Sequence, residues 1–152
     1  MAKVGIVIGS KNDEALIKPA FEILEQLAIS YEFAVISAHR NPEKIREYGL
    51  RARENGFEVI IAAAGMAAHL PGVLASLTSL PVIGVPLATS ELKGVDSLYS
   101  IVQMPAGVPV ACVGIGTSGS KNAALLAAQI LGLKYGEIRE AFEDYKRKLA
   151  QA

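Results

Sequence analysis

The chain contains no tryptophan and a single cysteine, Cys112. A lone cysteine forms no internal disulfide, so a reducing compartment, the cytoplasm, is expected. There is no excess charge of either sign. Fifteen basic and fifteen acidic side chains cancel over 152 residues. That balance argues against a nucleic-acid binder that works by neutralising phosphates. Disorder is excluded as well, because 51% of the residues are hydrophobic. The length suits about one domain. No linker, repeat or low-complexity tract divides the chain, so one domain over residues 1–152 is expected, with a C-terminal helix from about 135.

Charge is also missing locally. Residues 59–133 carry only Glu91, Lys93, Asp96 and Lys121, and Val59 to Ser90 carry none. A stretch this apolar first suggests a membrane span, which needs a continuous run of about 20 apolar residues. Pro71, Pro81, Pro86, Gly65, Gly72, Gly84 and His69 interrupt it. Its flanks are not basic clusters, and Met1-Ala2-Lys3 lacks a signal-peptide cleavage pattern. A soluble, cytoplasmic protein without a membrane partner is expected. The central region is apolar enough that burial between subunits is expected too.

What remains is a regular alternation. Lys3–Ile8 reads as a strand buried on both faces, followed by a helix with Leu16, Ala20, Ile23 and Leu27 on one stripe. Tyr31–Ile36 is a second strand. Asn41-Pro42 reads as an N-cap and first helical position, opening a helix with Ile45, Tyr48, Gly49 and Ala52 that stops at Asn55-Gly56. Phe57–Ala62, Pro81–Val85 and Val110–Ile115 are further strands. Helices are expected near Leu70–Thr78, at Val95–Gln103 with Leu98 and Ile101-Val102 inward, and at Gly119–Leu131. A last amphipathic helix carries Ile138, Phe142, Tyr145 and Leu149. Such alternation predicts an α/β fold: a parallel sheet with helices on both faces. Ligands of such sheets bind beyond the carboxyl ends of the strands, which singles out the loops after the first three.

Gly9-Ser10-Lys11-Asn12-Asp13 joins a buried strand to a helix start. Backbone N–H groups there, with a hydroxyl and an ammonium, suit a phosphate, and Asp13 suits ribose hydroxyls. The same residues also suit a plain helix cap. The segment has neither Walker nor dinucleotide-fingerprint spacing. Ser37-Ala38-His39-Arg40 sets one of two histidines beside an Arg, the usual fork for phosphate or carboxylate. Ala64 to Gly72 holds the second, His69, among small residues that let backbone approach a ligand. A capping role for His69 fits equally well. Two histidines alone do not make a metal site, and Cys112 reads as a small buried hydrophobe.

These loops and two later segments, Gly94 to Pro105 and Asn122 to Leu131, occur in the order found in one family. The chain resembles the class I PurE family, the N5-carboxyaminoimidazole ribonucleotide mutases of purine biosynthesis, from about residue 3 to about 135. The Gly94–Pro105 segment favours class I over class II, which carboxylates aminoimidazole ribonucleotide with free CO2. The resemblance implies a three-layer, flavodoxin-like α/β domain, a homo-octamer, a ribonucleotide substrate, and no metal or organic cofactor. It implies phosphate contacts from Ser10 and Arg40, a ribose contact from Asp13, and acid/base catalysis by His39. It further implies that Ser37, Gly65, Ala67, His69 and Leu70 surround the imidazole and the migrating carboxylate.

Three positions depart from the family pattern. Asn12 stands where many members have Ser, and Val73 where Met is common. Met66 stands where class I members usually have the second Gly of a pair, and a side chain there is expected to narrow the pocket or restrict the backbone. The implied reaction is decarboxylation of the carbamate and recapture of CO2 by the ring carbon, with His39 as proton carrier and His69 as a positioning group. Two rivals are the class II carboxylation and a non-catalytic nucleotide- or flavin-binding module. The second has little support, because the three loops lack aromatic residues to stack on a flavin.

Overall fold

A computed structural model describes residues 3–152. Five parallel strands form one sheet in the order β2-β1-β3-β4-β5. The strands are β1 (Val4–Ile8), β2 (Tyr31–Val35), β3 (Val59–Gly65), β4 (Val82–Leu87) and β5 (Ala111–Cys112). The helices are α1 (Glu14–Gln26), α2 (Pro42–Arg51), α3 (Leu70–Leu77), α4 (Val95–Val102), α5 (Gly116–Gly132) and α6 (Gly136–Ala150). This is the flavodoxin-like order of a doubly wound sheet.

The strands alternate between two cores. Val4, Ile6, Ile8, Val59, Ile61, Ala63, Ile83, Val85 and Leu87 point to one face, where α1, α5 and α6 pack. Val7, Ile60, Ala62, Ala64 and Val82 point to the other, under α2, α3 and α4. β1 and β4 are buried throughout, and β3 is buried up to Gly65, which is why they read as continuous apolar runs. On the first face Ala123, Ala124, Ala127 and Ala128 bring α5 close to the sheet.

Several expectations shift. The α1 stripe runs through Ile17, Ala20, Ile23 and Leu24, with Leu16 half-buried beside it. Leu27 is buried but lies past the last helical residue. In α4 the inward residues are Ser97 and Ile101, while Val102 faces out. Ile138 is the one buried residue of α6, and Leu149 is exposed. The fifth strand is only two residues long rather than Val110–Ile115. Pro81 sends its carbonyl to the Ile60 amide on β3, so the even-numbered residues of β4 face β5. Pro86 is one of these and has no N–H to continue that ladder. Beyond Cys112, Gly114 turns the chain away at φ +132°.

The register levels the carboxyl ends of the strands. Ile8 pairs with Val35 on one side and with Ala63 on the other. Gly65 pairs with Leu87. The chain leaves β1 for its β2 neighbour, then crosses back past β1 to β3. The loops after β1 and β3 therefore diverge, one leading to α1 and the other to α3 on the opposite face. A crevice opens at this reversal.

Candidate functional site

A cavity of about 620 Å³ fills that crevice. Three loops supply most of its wall, and the fourth adds Thr89.

The β1 loop gives Gly9, Ser10, Asn12 and Asp13. Ser10 caps the short turn Lys11–Asp13, its Oγ accepting from the Asn12 amide at 3.4 Å. Capping and cavity placement coexist here. Asp13 precedes α1 but makes no side-chain capping hydrogen bond, so its carboxylate is free to accept from a ligand. Burial raises its pKa above the ordinary carboxylate value, because desolvation penalises the charged form.

The β2 loop gives Ser37, Ala38, His39 and Arg40. The Ser37 Oγ accepts from the Arg40 amide at 3.2 Å, and the Ser37 carbonyl accepts from the Asn41 amide at 2.9 Å. These bonds hold the turn and leave the His39 and Arg40 side chains exposed on the cavity wall. Asn41 then caps α2, its Oδ1 accepting from the Lys44 amide at 3.2 Å, with Pro42 in the first turn.

The β3 loop gives Ala64, Gly65, Met66, Ala67, His69 and Leu70. Ala68 and Leu70 are buried in the second core and fix the loop's path. Gly65 is required by close approach, because a Cβ there would overlap the Thr89 Oγ1. Met66 holds a left-handed backbone, φ +55°, and its side chain is 61% exposed. For a residue with a Cβ this conformation costs about 1 kcal/mol. Ala28 and Lys93 share it, both in turns beside helix ends.

The two histidines meet. His39 Nε2 lies 2.7 Å from His69 Nδ1, with the rings edge to face at 4.9 Å between centroids. Their strands are separated by β1, so the side chains close a gap of two strand spacings, about 9–10 Å. His69 opens α3 but makes no side-chain capping bond, so its imidazole is engaged by His39 and not by the helix end. A hydrogen bond between two ring nitrogens needs one N–H and one lone pair, so it fixes one tautomer against the other.

The nine residues that the resemblance assigns to the site line this one cavity: Ser10, Asp13, Ser37, His39, Arg40, Gly65, Ala67, His69 and Leu70; Lys11, whose ammonium also suited a phosphate, is not on its wall. Thr89 lines it too and was missed. Its only sequence signal was its position two residues past a buried strand. Among the described residues no three His, Cys, Asp or Glu side chains converge to hold a metal ion. No helix among them is long and apolar enough to cross a membrane. Cys112 is half-buried in β5, and burial pushes its thiol pKa up, which opposes a nucleophilic role.

The fold and cavity define an α/β protein with a small-molecule site at the switch point of its sheet, built around a hydrogen-bonded histidine pair. The family model for AIR carboxylase matches residues 3–152, and the chain belongs to that family. It is 56% identical over 149 residues to the N5-carboxyaminoimidazole ribonucleotide mutase of Thermotoga maritima, covering 98% of this chain and 86% of that one. It is 51% identical over 146 residues to the Escherichia coli enzyme of the same name, covering 96% and 86%. Among solved structures, Treponema denticola PurE superposes with a TM-score of 0.88 at 28% identity, covering 99% of this chain and 93% of that one.

Proposed function

We propose that this chain is an isomerase that converts N5-carboxyaminoimidazole ribonucleotide to 4-carboxy-5-aminoimidazole ribonucleotide in purine biosynthesis. The observation that carries the chemistry is the His39–His69 contact at 2.7 Å inside the cavity. The identity with the mutases of Thermotoga maritima and Escherichia coli supports the substrate.

Ser10, the N–H groups of the turn after it, and Arg40 hold the phosphate, with the Arg fork supplying charge-assisted bonds. Asp13 accepts from the ribose hydroxyls. Ser37, Gly65, Ala67 and Leu70 wall the aminoimidazole. His39 carries the proton. Its Nε2 is engaged with His69 Nδ1, which leaves Nδ1 to exchange with the substrate. In the first step the carbamate N–C bond breaks. The nitrogen takes a proton from His39 and CO2 is freed. The ring carbon then attacks CO2, forming the new C–C bond, and His39 recovers a proton from that carbon. One group both gives and takes, so no net proton is exchanged with solvent. His69 positions the His39 ring and touches no reacting atom in this scheme.

The chain acts as one domain within a homo-octamer. Leu92, Val95, Tyr99 and Val102 are exposed at the start of α4 and along it, and their spacing supports that face as a subunit contact. A phosphorylated substrate, which does not cross membranes unaided, supports a cytoplasmic location. The test presents N5-carboxyaminoimidazole ribonucleotide, and separately aminoimidazole ribonucleotide with bicarbonate, to the purified protein. Turnover of the first without bicarbonate is expected. Turnover of the second alone would overturn the proposal in favour of carboxylation by free CO2.

A further inference from the structure

The loop after β4 puts one side chain, Thr89, on the cavity wall, and the scheme above gives it no role. The segment around it is tied down on both sides. Before it, the buried Ser97 donates its hydroxyl to the Leu87 carbonyl at 2.9 Å. After it, the Ser90 hydroxyl donates to an Asp96 carboxylate oxygen at 2.6 Å and accepts from the Leu92 amide at 3.1 Å. None of these bonds uses the Thr89 hydroxyl. Its oxygen rests against Gly65, where a Cβ would overlap it. The register explains the meeting, since Gly65 pairs with Leu87 two residues earlier on β4. A hydroxyl set on a cavity wall and not engaged by its own loop can donate to a ligand.

Strand order says which part of the ligand it meets. The proposed phosphate and ribose contacts, Ser10, Asp13 and Arg40, come from the β1 and β2 loops. In the order β2-β1-β3-β4, three strand spacings, about 14 Å, separate β2 from β4. Thr89 therefore lies at the opposite end of the cavity, toward the aminoimidazole of the proposed substrate. The β3 and β4 loops bring only two polar side chains to the wall, His69 and Thr89, and Nδ1 of His69 is taken by His39. The carboxylate that the reaction moves is an anion, and a hydroxyl donating to it makes a charge-assisted bond. We propose that Thr89 is a carboxylate-binding residue: its hydroxyl donates to the carboxylate of substrate and product and orients it beside the ring carbon. The inference rests on the reading that the product is 4-carboxy-5-aminoimidazole ribonucleotide. It is the same whether the carboxylate comes from the carbamate or from free CO2.

Two nucleotides that differ only in the carboxylate isolate this contact. Equilibrium affinities for 4-carboxy-5-aminoimidazole ribonucleotide, and for aminoimidazole ribonucleotide without bicarbonate, are measured on the full assembled wild type, Thr89→Ala and Thr89→Ser. The carboxylated nucleotide should bind Thr89→Ala about tenfold more weakly than wild type, while aminoimidazole ribonucleotide stays within about twofold. Thr89→Ser keeps the hydroxyl and should bind both within about twofold of wild type. Unchanged affinity of Thr89→Ala for the carboxylated nucleotide overturns the inference. So does an equal loss for both nucleotides, since Thr89 would then shape the loop and not hold the carboxylate. A loss in Thr89→Ser as large as in Thr89→Ala overturns it too. A wild type that binds neither nucleotide overturns the reading of the site itself, and this role with it.

Discussion

The loops after β1 and β3 leave neighbouring strands at the same level, yet they are built oppositely. The β1 loop is polar, with Ser10, Lys11, Asn12 and Asp13 in a regular capped turn. The β3 loop carries no charge and few polar atoms before His69, and it contains a left-handed Met66. One loop offers hydroxyls, amide N–H groups and a carboxylate, the equipment for holding a nucleotide. The other offers close approach and few polar atoms, which suits the proposed chemistry on CO2. The β2 loop serves both, with Arg40 for the anion and His39 reaching over β1 to His69. On the proposed function the cavity is divided by task, and substitutions in its two parts should separate in kinetics.

The largest loss short of removing His39 itself is expected on the chemistry side. His69→Ala removes the hydrogen-bond partner of the His39 ring and should lower kcat about 100-fold, with KM little changed. Rescue by small imidazoles in the medium would separate positioning from collapse of the loop. On the binding side, Arg40→Ala removes charge-assisted bonds worth about 1.5–3 kcal/mol, so KM should rise about tenfold or more while kcat holds. A kcat loss at unchanged KM would erase the division between the loops. Gly65→Ala forces a Cβ into the Thr89 hydroxyl, and Thr89→Ser leaves that hydroxyl in place. Overpacking of this kind costs about 1–3 kcal/mol, read as a lowered melting temperature, and Gly65→Ala with Thr89→Ala should recover much of it.

The smallest effect concerns pH. Burial raises the Asp13 pKa, and in the proposed site ribose hydroxyls would donate to its carboxylate form. Nucleotide affinity should therefore weaken as pH falls through that raised pKa, in a window above the ordinary Asp value of 3.8. The sign for stability follows the same shift. A raised folded pKa means the protonated form is favoured by folding, so this group's contribution is present at low pH and is lost as pH rises through it. Asp13→Asn should flatten the acid limb of KM, as read by a KM–pH series.

Much of this was legible in the sequence, and the reasons are local. Strands buried on both faces announce themselves as unbroken apolar runs, as in Val4–Ile8 and Val59–Ala64. Asn41-Pro42 marked the start of α2 because capping is decided by neighbouring residues. What depended on register was not legible. Thr89 enters the cavity because Leu87 pairs with Gly65, and β5 is cut short because Pro86 faces it. The facing stripe of α1 moved from Leu16 to Ile17 because Leu24, not Leu27, completes the buried face within the helix. The His39–His69 contact spans thirty residues and an intervening strand, so nothing local in the sequence announced it.

The division of the cavity is tested most directly by His39→Asn, assayed for turnover and for equilibrium binding of aminoimidazole ribonucleotide without bicarbonate in the same preparation. The account predicts turnover lower by about 1,000-fold or more, with nucleotide affinity within about twofold of wild type. Near-normal turnover would remove His39 as the proton carrier. Parallel loss of turnover and affinity would show that binding and chemistry are not divided between the loops.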